Sequence, residues 1–202
     1  MSLKHKVILI PGLGDRTRLL EWAVGHWRRY GLEPIVYAVG WRDEENAFRP
    51  KLKKLVALID QIVKNGDKVS FVGTSAGGSA ALNAFMQRKS KIYKVINVCG
   101  RLRVGPTTGF LSFDSKTKSS PAFAESVRLC ERGIAQLSLP DRRKIMTMRA
   151  MFGDELVPPE TAVIDGALNI QIPIGEHMLS IGAALTIFSK PLITYLVSRN
   201  KV

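Results

Sequence analysis

Gly73-Thr74-Ser75-Ala76-Gly77-Gly78 is the stretch on which the reading of this chain turns. It follows an apolar run at residues 69–72 and precedes small, helix-prone residues at 79–86. A G-x-S-x-G between a strand and a helix is the pattern of a nucleophile elbow. The chain must reverse sharply there, which holds the serine in a strained backbone conformation and lifts its hydroxyl clear of a sheet. Strand and helix then nearly touch, so the flanking positions must lack bulky side chains. Gly73 and Gly77 meet that demand, and Ala76, Gly78 and Ala80 extend it. Short Gly/Ser stretches also form ordinary turns and phosphate loops. No G-x-x-x-x-G-K-[ST] is present, which removes support for the phosphate loop. The choice between an elbow and an inert turn rests on the rest of the chain.

Working outward, apolar runs of strand length recur at residues 7–10, 35–39, 69–72, 92–98, 145–151 and 168–172. Several are continuously apolar, as expected of parallel strands buried on both faces. Helical patterns over 18–30, 50–64, 76–88, 121–137 and 180–198 separate or follow them. In 50–64, Leu52, Leu55, Val56, Ile59, Ile62 and Val63 share one face with lysines opposite. Gly31 and Gly66 sit where helices should end. Alternation of this kind predicts a three-layer α/β/α sandwich with a mostly parallel sheet of about six strands in a single domain over 1–202. The least regular stretch, 101–120, is expected to act as a lid or pocket wall. The C-terminal pattern reads as a core helix bent or broken near Pro191, too interrupted by Lys190 and Pro191 to span a membrane.

Composition narrows the class. The 202 residues are 46% hydrophobic and 23% charged, which is globular and long enough for a core without staples. Two cysteines, Cys99 and Cys130, are too few for a disulfide framework and point to a reducing, cytoplasmic setting. The apolar stretch near the N-terminus is too short for a signal peptide. A net charge of +13 raises the possibility of an anionic partner. The basic residues are spread along the chain without interleaved aromatics, so solvated faces are the better reading and no nucleic-acid partner is expected.

A serine nucleophile needs a base, and the base needs an orienting carboxylate. Downstream of an elbow they follow in the order acid, then histidine. Of the three histidines, His5 and His26 precede Ser75, which leaves His177, in Gly175-Glu176-His177-Met178 after the last predicted strand. Between them, Asp154 follows the predicted strand 145–151 and is the candidate acid, with Glu155 as runner-up. Both fall at C-terminal strand ends, the edge where open parallel sheets hold their sites. The oxyanion donors should be the backbone N–H of Ala76 and one from the turn Pro11-Gly12-Leu13-Gly14-Asp15, where Leu13 is the candidate. Trp41, Phe110 and Leu111 are candidate substrate-binding walls, with core packing as their alternative role. Arg42, Arg101 and Arg103 are candidate receptors for an acidic acyl group. No metal-ligand spacing and no cofactor fingerprint is visible.

VILIPGLGD, VSFVGTSAGG, GDELVPP and GEHM, in that order, resemble the signature segments of the α/β-hydrolase superfamily. The resemblance runs from the first strand to the last helix and is closest to compact, capless serine hydrolases of the esterase, lipase and thioesterase kind. It implies the family fold without its first two strands. The D-x-x-V-P running from Asp154 to Pro158 is a common family pattern and favours Asp154 as the acid. Pro11 stands where many relatives have histidine, the approach to Asp154 is short, and Glu176 precedes His177 where many relatives have glycine. The implied activity is cleavage of a small-molecule carboxylic ester or thioester through Ser75, His177 and Asp154, with no cofactor. The alternative is a non-catalytic scaffold of the same fold that binds a small ligand or an anionic partner.

Overall fold

A computed structural model describes residues 3–198. The elements run β1 (His5–Ile10), α1 (Thr17–Val24), β2 (Leu32–Val36), α2 (Phe48–Lys64), β3 (Lys68–Thr74), α3 (Ala76–Gln87), β4 (Ile92–Val98), α4 (Phe113–Thr117), α5 (Pro121–Ile134), α6 (Leu139–Arg142), β5 (Ile145–Ala150), β6 (Leu168–Ile172), α7 (His177–Leu185) and α8 (Ser189–Val197). The strands form one six-stranded sheet in the order β2-β1-β3-β4-β5-β6. Every neighbouring pair is parallel.

Two apolar layers flank the sheet, as continuously apolar strands require. On one face, Ile8, Ile10, Phe71 and Val95 pack with Leu55 and Ile59 of α2, Ala81 and Phe85 of α3, and Val127 of α5. On the other, Val7, Leu9, Val72 and Ile96 pack with Leu20 of α1, Leu185 of α7 and Leu192 of α8. The strand order reverses between β1 and β3, and the turn after β1 and the turn after β3 both open on that switch point.

Three element boundaries differ from the sequence reading. The second strand is Leu32–Val36, not 35–39, because residues beyond Tyr37 are drawn off the sheet: Asp15 accepts the N–H groups of Val39, Gly40 and Trp41 at 3.1, 3.0 and 2.9 Å. The first helix stops at Val24 and tightens into a 3₁₀ turn over Gly25–Tyr30. The C-terminal pattern is two helices, α7 and α8, bent by 51°. The break lies ahead of Pro191, which sits in the first turn of α8. A proline is tolerated there because that turn's amides have no intrahelical acceptor. Among the described residues no single helix is long and apolar enough to cross a membrane.

β2 forms one edge of the sheet. Tyr37 donates its N–H to Leu9 O at 2.9 Å, so by strand alternation residues 33, 35 and 37 turn their amides toward β1 and Pro34 faces the open edge. Proline has no N–H to offer there.

Candidate active site

Ser75 joins β3 to α3 with φ 52° and ψ −123°, a strained region for a residue with a side chain. Its N–H donates to Val98 O at 3.0 Å, which ties the reversal to β4. The reversal fits only because of its glycines. A β-carbon on Gly73 would overlap the Gly77 carbonyl, and one on Gly77 would overlap the carbonyl of Ile10. The chain reverses sharply at Ser75, as the hexapeptide suggested.

The turn after β1 passes over the serine. A β-carbon on Gly12 would lie 2.9 Å from Ser75 Cβ and 3.3 Å from its Oγ. The turn is closed by Asp15 N–H to Gly12 O at 3.0 Å, and the Asp15 carboxylate anchors it to residues 39–41. Trp41 is a correction to the sequence reading. It is 2% exposed, stacked on Phe48, edge-on to Phe123, and donates its indole N–H to Pro11 O at 3.1 Å. Its ring packs in the core and braces this turn from behind instead of walling a pocket. Among the described residues, the N–H groups of Leu13 and Ala76 have no hydrogen-bond acceptor.

His177 is the first residue of α7, and its side chain is 1% exposed. Its Nε2 lies 2.9 Å from Ser75 Oγ, and its Nδ1 lies 2.7 Å from Asp154 Oδ2. A carboxylate only accepts, so Nδ1 carries the proton and Nε2 is free to accept from the serine hydroxyl. The other oxygen of Asp154, Oδ1, accepts from Leu156 and Val157 N–H, both at 2.9 Å, which fixes the carboxylate in its own loop. Glu155, the runner-up acid, does not reach the ring; its Oε2 accepts the backbone N–H of His177 at 3.1 Å. Glu176 caps α7, accepting from Met178 and Leu179 N–H at 3.0 and 2.6 Å. Those two donors hold its carboxyl below the ordinary value.

Cys99 stands near the same edge with φ 50°. Burial, and then the neighbouring Asp154 carboxylate, push its thiol up to about 12, so it stays protonated at neutral pH and is a poor nucleophile. Among the described residues no cluster of His, Cys, Asp or Glu is arranged to hold a metal ion.

The segment 101–120 is anchored rather than free. Arg101 is buried and donates to the carbonyls of Arg103 at 3.2 Å, of Leu111 at 3.0 Å, and of Val104. Its guanidinium is occupied by backbone, so it is not a receptor for an acidic acyl group. Arg42 donates to Ser119 Oγ at 3.1 Å. Phe113 is buried in α4, with the guanidinium groups of Arg101 and Arg128 both near its ring. Phe110 is 73% exposed and lies under the Lys116 ammonium, 3.4 Å from the ring centre. Lys116 Nζ in turn donates to Glu155 O at 3.1 Å, which brings the segment onto the loop of Asp154.

Asp15, Glu155, Glu176 and Arg101 are the contributors to this site that the motifs did not single out for these tasks. Asp15 stood in the quoted turn, but nothing local marks which amides a carboxylate will find 24–26 residues away. An acidic residue directly before a helix was the visible signal for Glu176.

A parallel sheet with a switch point, a strained serine elbow after β3 and an acid and a histidine at later strand ends define the α/β-hydrolase fold. No family model matches the sequence, and no curated protein matches it. Solved structures do. A metagenome-derived lipolytic enzyme superimposes with a TM-score of 0.67 at 13% identity, covering 96% of this chain and 91% of that one. A monoacylglycerol lipase of Paleococcus ferrophilus gives 0.65 at 16% identity, covering 95% and 93%. A thioesterase domain from the curacin biosynthetic pathway gives 0.62 at 13% identity, covering 96% and 92%. At such identities the likeness is one of fold.

Proposed function

We propose that the chain is a serine hydrolase that cleaves a carboxylic ester or thioester of a small molecule. Ser75 Oγ attacks the acyl carbon while His177 Nε2 takes its proton. Asp154 holds the Nδ1–H tautomer and stabilises the imidazolium that forms. The N–H groups of Leu13 and Ala76 receive the oxyanion of the tetrahedral intermediate. His177 then returns the proton to the leaving alkoxide or thiolate. Water, deprotonated by His177 in turn, releases the acyl group and restores Ser75.

The observation that carries this reading is the 2.9 Å contact between His177 Nε2 and Ser75 Oγ, made by a serine in a strained φ/ψ region. The lipolytic and thioesterase neighbours support the acyl-transfer class. Phe110 and Leu111 remain proposed walls of the acyl site, in a segment that leans on the acid loop.

The test is labelling by a fluorophosphonate probe, which needs an activated serine. Wild type should label covalently and Ser75→Ala should not. A folded wild type that stays unlabelled would favour the alternative, a non-catalytic scaffold of the same fold.

A further inference from the structure

His177 opens α7, so the position of its imidazole depends on how the first turn of that helix is held. The first amides of a helix have no intrahelical acceptor and must find one elsewhere. In α7 they are taken by two carboxylates. Glu176 accepts from Met178 at 3.0 Å and Leu179 at 2.6 Å, whereas the His177 amide goes to Glu155 Oε2 at 3.1 Å. Ser180 N–H closes the turn on Glu176 O at 2.9 Å.

The Glu155 contact differs in kind from a cap. Glu176 directly precedes α7, so its bonds to Met178 and Leu179 fix the helix end but not its place. Glu155 lies 22 residues earlier, on the loop after β5, next to the residue that holds the imidazole. The two neighbouring carboxylates diverge. Asp154 grips the histidine by its ring at 2.7 Å and Glu155 grips it by its backbone. Lys116 Nζ donates to the Glu155 carbonyl at 3.1 Å. The ring and the main chain of one residue are thus referenced to one loop.

We infer that Glu155 is a positioning residue: by accepting the His177 amide it sets the distance between the imidazole and Ser75. This rests on the reading of Ser75 as nucleophile. A displacement near 1 Å in such an arrangement costs about 100-fold in rate. Removal of the strut should therefore slow chemistry without weakening encounter with the reagent. The hydrogen bond asks only for an acceptor, so a glutamine should serve.

The experiment compares wild type, Glu155→Ala and Glu155→Gln, with Glu155→Ser as a second truncation too short to reach the amide. The first readout is saturable labelling by a fluorophosphonate. The expected result is a maximal labelling rate lower by about 10- to 100-fold in the truncations, an unchanged half-saturation concentration, and a rate within about threefold of wild type in Glu155→Gln. Truncations that label like wild type, or a glutamine as slow as alanine, overturn the inference. The second readout is hydrogen exchange of the His177 amide, which needs no activity. Faster exchange in the truncations, with Glu155→Gln near wild type, supports the strut, and unchanged exchange overturns it. An unlabelled wild type would count against the serine-hydrolase reading, and the exchange result would still decide the role of Glu155 as a strut.

Discussion

Gly77 and Ile10 meet backbone against backbone, with no room for a β-carbon between the elbow helix and the end of β1. The contact joins the turn that carries Ser75 to the strand that leads into Leu13. Gly77→Ala would push carbonyl against carbon with no flexible side chain to yield. It should destabilise the fold by about 3 kcal/mol or more. Gly25→Ala, where a β-carbon meets nothing within 4 Å, should be close to neutral or stabilising. Urea midpoints of the two variants check this, and equal midpoints would contradict it.

Asp154→Asn separates position from charge. The asparagine oxygen can keep the Leu156 and Val157 amides, so the loop should stay in place. Its NH₂ group, turned toward Nδ1, would favour the wrong imidazole tautomer. On the proposed mechanism kcat for a nitrophenyl ester should fall by about 10³- to 10⁴-fold with the melting temperature little changed. A fall of less than tenfold would remove Asp154 from its role.

Arg101 is a buried cation that satisfies the carbonyls of Arg103, Val104 and Leu111. Arg101→Met keeps much of the volume and strands those acceptors. The expected cost is about 3 kcal/mol. The more specific signature is local: limited proteolysis should cut within 102–112 in the variant well before it cuts wild type.

His5 gives stability a pH dependence of defined sign. Burial, then Lys68 and Lys94, lower its pKa from 6.5 to about 4. Its Nε2 lies 2.9 Å from Ser70 Oγ. The folded chain therefore binds fewer protons at this site than the unfolded chain between those two values, so stability rises with pH across that window. The contribution is full above about pH 6.5 and is lost as pH falls toward about 4. His5→Gln should flatten the slope of unfolding free energy between pH 4.5 and 7. An identical slope in wild type and variant would refute the assignment.

Glu176→Ala should cost about 1 kcal/mol through the lost cap. The His177–Asp154 bond should survive, because neither partner depends on the Glu176 side chain. A thermal melt together with the labelling rate separates the two effects.

The strands and the elbow were legible because they are local. A continuous apolar run announces a strand buried on both faces, and glycines around a serine announce a tight reversal. Ser75, Asp154 and His177 could be proposed from chain order alone, since parallel strands deliver their C-terminal ends to one edge. What stayed hidden was long-range. The end of β2 is set by Asp15, across the switch point. The burial of Trp41 depends on Phe48 and Phe123, which only the fold brings beside it. Whether Asp154 or Glu155 reached the ring was a matter of side-chain direction, and consecutive loop residues diverge in a way that spacing cannot encode. Pro191 drew the expected helix break toward itself, although a proline in a first turn breaks nothing.

Pro34 carries one more consequence. A parallel sheet that ends early leaves a row of unpaired amides and carbonyls, a template onto which a second copy can add itself and start a fibre. Here that row is interrupted at its middle by a residue that cannot donate. An incoming strand would find its ladder broken where it needs continuity. The outermost strand is therefore finished by a single ring closure, which withholds a donor from any strand that would add to it.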